Sequence, residues 1–265
     1  IMVQKRFHGV IPTRHGSVDL SGPPVVMGVL NVTHDSFSDG GRFVTPQAIE
    51  AQVRRMLAEG AGIIDIGGES TRPGAEPVSA GEQLARVLPA IDAVRAIDPL
   101  IPISIDTRLA EVAAAAINAG ADIINDIAAL RDDPAMAPLA ARLGTPVILM
   151  HMQGRPGTMQ QNPCYRDVTA EVRDFLVERV AAAAAAGIDP ANIILDPGIG
   201  FGKTTDHNLT LLRDMGYLVA LGYPVLLGAS RKRFIGQVLG VDVPADRLWR
   251  SEEHTSELQS RQVSS

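Results

Sequence analysis

The sequence has a single cysteine, Cys164, in 265 residues. That excludes an internal disulfide and fits a reducing, cytoplasmic setting. No apolar run approaches the roughly 20 residues needed to cross a bilayer, and no charged-apolar-small leader opens the chain. Positive charge is not in excess either. Lys and Arg number 24 against 30 Asp and Glu, a formal net charge of −6. That argues against nucleic acid or a membrane surface as a general partner, so any anionic ligand has to be met by local cations. His-Glu-x-x-His, Cys-x-x-Cys and paired-cysteine spacings are missing, so a zinc site is not expected. What is present is 46% hydrophobic residues and a mean hydropathy of +0.11, which suit one large α/β domain with a full core.

The organising stretch runs from Gly28 to Gly41. An apolar β-run that begins at Val25 stops at the carboxamide of Asn31 and opens into a Ser/Asp/Gly loop that cannot continue a strand. The same grammar recurs along the chain. Strands are expected at 25–31, 63–67, 101–106, 123–126, 147–150, 193–196 and 225–228. Between them the periodicity predicts helices at about 46–59, from Ser79 onward, and at about 109–119, 136–142 and 168–186, with a last one starting near Arg231. Ser79 with Glu82 three residues on forms a capping box, and Gly120 and Gly187 stand where helices close. Residues 1–24 are expected to make a cap or short hairpin over one end. Short apolar strands that do not alternate, separated by helices, give a parallel sheet covered on both sides. Polar residues at so many strand ends favour a barrel over an open sheet, because in a barrel every strand end faces one site.

From Arg250 the chain reads Arg-Ser-Glu-Glu-His-Thr-Ser-Glu-Leu-Gln-Ser, without an apolar stripe or cap logic. It resembles the translation of a sequencing-library adapter. Residues 250–265 are therefore expected to be a non-native tail, leaving 1–249 as one barrel domain. Ile1 before Met2 reads as an open-ended fragment. On this reading the barrel has seven strands, and an eighth βα unit, on the order of 35 residues, is missing beyond Trp249.

Asn31, Asp65, Asp106, Asn125, Asp126, His151 and Asp196 all fall at or just past strand ends. Carboxylates and amides converging from so many strands are costly to bury without a polar ligand. An amino-amide heterocycle matches them, since carboxylates accept from ring N–H and NH₂ groups and Asn both donates and accepts. Cations stand in three loops, at Arg72, Lys203 and Arg231-Lys232-Arg233, which points to a phosphate or carboxylate partner. Gly198-Ile-Gly-Phe-Gly-Lys-Thr204 is one residue short of the phosphate-loop spacing and is not a dinucleotide fingerprint. Cys164 reads as an inert thiol.

Several of these segments together resemble the dihydropteroate synthase family. They are Val29–Thr33 with Asp35–Gly41, Asp65-Ile-Gly-Gly-Glu-Ser-Thr-Arg-Pro-Gly74, Ser104–Thr107, Ile124–Ile127, Leu149–Gly154, Leu195–Lys203 and Ser230-Arg-Lys232. The resemblance runs in order from about residue 25 to 249. It implies an α/β TIM (β/α)8 barrel that condenses 6-hydroxymethyl-7,8-dihydropterin diphosphate with p-aminobenzoate, giving 7,8-dihydropteroate and diphosphate. It also implies Mg²⁺ and, in the family, a homodimer. By motif, Asp106, Asn125, Asp196 and Lys232 would hold the pterin, and Asn31 would coordinate Mg²⁺ bound to the diphosphate. Arg72 would also face the diphosphate, and Asp106, Lys232 and Arg72 would carry the catalysis. Thr71, Pro73, Phe201, Ser230 and Arg233 would shape the aminobenzoate pocket. The loops 32–42 and 68–77 would close over the reacting atoms.

Two departures from the family pattern stand out. His34 occupies a position where the family usually has Pro. The Arg and His that the family carries on its eighth strand, against the diphosphate, have no counterpart here, so the chain as written is expected to be weakly active or inactive. Two other readings stay open on the sequence. One is a folate-dependent methyltransferase barrel, which shares the pterin-facing Asp and Asn. The other is a non-catalytic pterin-binding fragment.

Overall fold

The computed structural model describes residues 9–33, 45–70, 77–230, 232 and 234–235. His34, the loop 35–44, Arg231, the tail 250–265 and the place expected for an eighth strand lie outside the described residues.

A short antiparallel hairpin, β1 (Val10–Pro12) and β2 (Ser17–Asp19), precedes six parallel strands. These are β3 (Val26–Asn31), β4 (Ala61–Gly67), β5 (Ile103–Asp106), β6 (Ile123–Asp126), β7 (Val147–Met150) and β8 (Ile193–Asp196). They pair in chain order, β3-β4-β5-β6-β7-β8, with a crossover between each pair. That is the wall of a TIM-type (β/α) barrel, as expected. Strands β6, β7 and β8 begin and end where the sequence places them. β4 starts two residues earlier than expected and β5 two residues later.

The crossovers are α1 (Pro46–Ala58), α2 (Ala80–Ile97), α3 (Ala110–Ala119), α4 (Met136–Leu143) and α5 (Val168–Ala185), followed after β8 by α6 (Thr205–Arg213) and α7 (Met215–Val219). Local chemistry fixes their ends. Thr45 caps α1 by accepting from Ala48 N, with Pro46 at the first position, where a missing N–H costs nothing. Ser79 and Glu82 make both bonds of the capping box at the start of α2. Gly120 ends α3 at φ 119°, a backbone state open to Gly at little cost. The sequence reading placed no helix between β8 and the seventh strand. α6 and α7 fill that gap.

The seventh strand is shorter than expected. Val225 bridges Leu195 in parallel, with Leu195 N donating to Pro224 O at 2.9 Å and Leu226 N donating to Leu195 O at 2.8 Å. The ladder goes no further, and Gly228 is exposed.

Strands β4 to β8 are buried on two faces, which explains their unalternating apolar runs, whereas β3 keeps only Leu30 buried and leaves Val26 and Val29 exposed. One face, with Ile64, Ile66, Ile103, Ile105, Leu149 and Leu195, packs against the helices in the main core. The other face points into the barrel. There Ile63, Ile123, Ile148 and Ile194 form a separate cluster with Ile11 and Val18 of the hairpin. The hairpin therefore stoppers the N-terminal end of the barrel, the role expected for the first residues. Asp122 fastens it. Its side chain accepts from His15 N at 3.0 Å, from Arg95 Nη2 at 2.5 Å and from Ile103 N at 2.9 Å, and it pairs with His15 Nδ1 at 2.8 Å.

Candidate active site

Parallel pairing sets side chains at equal height. Asn31 is in register with Gly67, Gly67 with Asp106, and Asp106 with Asn125. These four positions make one row across β3 to β6 on the inner face, at the C-terminal end where barrel sites form. Gly67 leaves the row open in the middle. A Cβ there would stand 3.4 Å from Asn31 Oδ1 and 3.5 Å from Asp106 Oδ2. One step deeper lies Asp65, only 5% exposed, whose Oδ1 accepts from Asn125 Nδ2 at 3.3 Å. Asp196 enters from β8 with its carboxylate on Gly198 N at 2.6 Å.

The electrostatics follow from that crowding. Burial pushes Asp65 upward, and it pushes Asp106 well above the usual carboxylate range, helped by the negative charge of Asp65, Asp126 and Glu69. Burial likewise pushes Asp196 up to about 6, against the pull of Lys232 and Lys203. Lys232 stands with Nζ 4.2 Å from the centre of the Phe201 ring, and its own pKa is lowered by burial, with Asp196 opposing. Asp106, Asn125, Asp196 and Lys232 thus share one electrostatic neighbourhood, linked through Asp65. Asn31 and Ser230 are exposed, and Phe201 is half-buried. Thr71, Arg72, Pro73 and Arg233 lie outside the described residues.

Three sequence candidates turn out to serve the scaffold. Asp126 follows Asn125 and so points to the opposite side of the strand. Its oxygens accept from Ala128 N and Leu130 N, both at 2.8 Å, and tie a turn in which Ala129 and Leu130 take positive φ. His151 turns its ring edge-on to Phe175, with centroids 4.9 Å apart. Burial, with Lys203 and Arg131 beside it, drops its pKa to about 3, so the ring is neutral and Nδ1 accepts from Lys203 Nζ at 2.9 Å. Lys203, read as a cation for an anionic ligand, is 3% exposed and has its ammonium consumed by protein acceptors. Burial lowers its pKa to about 7.

Arg108 was not singled out by sequence, because it belongs to no recognisable motif. It joins Glu69 at 3.0 Å to Asp132 at 2.7 Å and so ties the start of the loop after β4 to the strands beside it. A cavity of about 320 Å³ lies further out, lined by Glu69, Ser70, Pro77, Arg108, Arg155 and Thr158. It contains none of the pterin-side residues, so it is an outer concavity and not the polar floor described above.

The pterin binding enzyme family matches residues 27–262 of the chain. A dihydropteroate synthase from Synechocystis sp. is 52% identical over 225 residues, 84% of this chain and 77% of that protein. The chain belongs to the dihydropteroate synthase family. Solved dihydropteroate synthases agree in structure. The Xanthomonas albilineans dihydropteroate synthase with 4-aminobenzoic acid superposes with a TM-score of 0.85 at 46% identity, covering 95% of this chain and 89% of that one. The same organism's dihydropteroate synthase in complex with 7,8-dihydropteroate gives 0.79 at 43% identity, covering 92% and 86%. Dihydropteroate synthases are transferases, and this chain has their fold and their class of activity. A methyltransferase barrel is thereby set aside.

Proposed function

We propose that this chain joins p-aminobenzoate to 6-hydroxymethyl-7,8-dihydropterin diphosphate with the polar floor of the barrel as the pterin seat. The observation that supports this most directly is the set of Asp106, Asn125, Asp196 and Lys232 gathered at one end of the barrel. The arylamine nitrogen forms a bond to the exocyclic methylene of the pterin. The methylene C–O bond breaks, diphosphate leaves with the electron pair, and the amine loses its proton to solvent.

Each residue has a role set by its chemistry. Asn125 and Asp196 hydrogen-bond the amino-amide edge of the ring. Asp106, ionised when the cationic ring system pairs with it, stabilises positive character that develops at the methylene. Lys232, stacked on Phe201, donates to the pterin and keeps Asp196 charged. Phe201 and Ser230 are given to the arylamine, joined by motif by Thr71, Pro73 and Arg233, and Asn31 and, by motif, Arg72 are given to the diphosphate.

Among the described residues, magnesium fits this site through Asn31. Among the described residues there is no group of three or more His, Cys, Asp or Glu side chains that could cage a metal. A single exposed carboxamide oxygen suits an ion that keeps most of its waters and takes phosphate oxygens as its other ligands. Bound there, Mg²⁺ supplies charge neutralisation for the leaving diphosphate. Among the described residues no helix is long and apolar enough to cross a membrane. A cytoplasmic setting is part of the proposal, and the free exposed thiol of Cys164 is compatible with it.

The deciding experiment follows diphosphate release and dihydropteroate formation with Mg²⁺ and both substrates. Formation of both products in equal amounts supports the proposal. Binding of the pterin diphosphate without turnover by folded protein selects the non-catalytic reading instead.

A further inference from the structure

Lys203 sits where the chemistry above makes no use of it. It ends the segment 198–203 that follows β8, and its ammonium lies inside that segment. Nζ bonds His151 Nδ1 at 2.9 Å and donates to the carbonyls of Gly198 at 2.9 Å, Phe201 at 3.1 Å and His151 at 3.4 Å. A buried ammonium costs several kcal/mol unless its N–H groups are met. Here they are met by the very carbonyls that define the curve of the loop.

The same loop is held from outside. Asn208 accepts from Gly200 N at 2.8 Å, and the Tyr165 hydroxyl donates to Gly202 O at 2.8 Å. Gly198 and Gly202 leave no room for error, since a Cβ on either would collide with the backbone of His151 or Gln153. What the loop delivers is Phe201, under Lys232 Nζ, with Gly200 against the Lys232 methylenes. Of the other pterin-side groups, Asp106 and Asn125 are carried by paired strands and do not depend on this curve, and Asp196, whose carboxylate accepts from Gly198 N, is held in β8 itself.

We propose that Lys203 is a positioning residue for the arylamine side of the reaction: an internal strut that sets the 198–203 loop and thereby the place of Phe201. It touches neither substrate. The proposal rests on reading Phe201 as part of the aminobenzoate wall.

The test is Lys203→Met, which keeps most of the length of the side chain and removes its donors, with Lys203→Gln as the variant that retains an N–H₂ group. Constants are normalised to the folded fraction. The expected result is a KM for p-aminobenzoate raised on the order of tenfold or more in Lys203→Met, as displaced positioning groups typically produce. Affinity for the pterin diphosphate should change by less than about threefold, with Lys203→Gln in between. Equal weakening of both substrates, or an unchanged aminobenzoate KM in a destabilised protein, would overturn it by making Lys203 structural only. Amide exchange supplies a readout free of turnover. The amides of Gly200 and Phe201 should exchange faster in Lys203→Met while those of β5 and β6 hold. If Lys203→Met does not fold, the same two readouts on Lys203→Gln decide. If the unaltered chain makes no dihydropteroate, the proposed function fails, and the exchange rates alone still judge the strut.

Discussion

Asn125 donates its side-chain amide to the buried carboxyl of Asp65 at 3.3 Å, although β5 lies between their two strands. Side chains from alternate strands meet on the barrel axis in this way, and Asp106 comes down from β5 into the same space. Its charge is opposed by burial and by Asp65. Asp106→Asn should therefore separate function from stability. Turnover should fall on the order of a hundredfold or more as the stabilising carboxylate is lost. Resistance to urea should rise by about 1 kcal/mol, because one of two crowded carboxyls is gone. Equilibrium unfolding and initial rates on the same preparation check both.

Asp196 gives a pH prediction with two opposite signs. Its folded pKa is about 6 and its ordinary value is 3.8, so the fold binds more protons than the open chain between those values. The carboxyl therefore imposes no penalty below pH 4, and a penalty of roughly 3 kcal/mol develops as pH rises to 6 and stays level above it. Asp196→Asn should accordingly stabilise the protein more at pH 7 than at pH 4.5. Pterin affinity should run the other way, rising through pH 6 as the carboxylate forms. Calorimetric titration of the pterin across pH 5–8 reads that arm, and the variant should lose the dependence.

Gly198 stands at φ 66°, where a Cβ would meet His151 O. Gly198→Ala should cost roughly 3 kcal/mol through strain and overlap together. Circular dichroism should show the barrel retained while melting occurs at lower temperature.

Asp122 lies at the opposite end from the polar floor. Its carboxylate meets Arg95, His15 and Ile103 N out of contact with solvent, so Asp122→Ala leaves the Arg95 charge with carbonyl acceptors alone and should cost about 3 kcal/mol. At a temperature where the variant stays folded, KM for both substrates should match the unaltered chain. Steady-state kinetics at 15 °C and a thermal melt test this pair of outcomes.

Much of this architecture is legible in the sequence, because short-range chemistry announces it. Ser79 with Glu82, Gly120 and the polar residue closing each apolar run mark element ends that the fold keeps. Helix α6 escaped because it starts with Thr204 and His207, a pairing outside the usual Ser/Thr-x-x-Glu/Gln signature, and because Leu209 on it is exposed. Asp106, Asn125, Asp196 and Lys232, which the resemblance assigns to the pterin, lie together at one end of the barrel. Asp126, His151 and Lys203, picked out by position alone, bond within the scaffold instead. Position at a strand end is visible in a sequence, but the direction a side chain takes from there is not. Asp126 differs from Asn125 only by one step along the strand, and that step turns it to the other face.

The row from Asn31 through Gly67 and Asp106 to Asn125 is levelled by backbone hydrogen bonds alone. Its members keep their mutual spacing whatever the connecting loops do. The distances a ligand would measure across the floor are therefore set by the sheet and not by the rim.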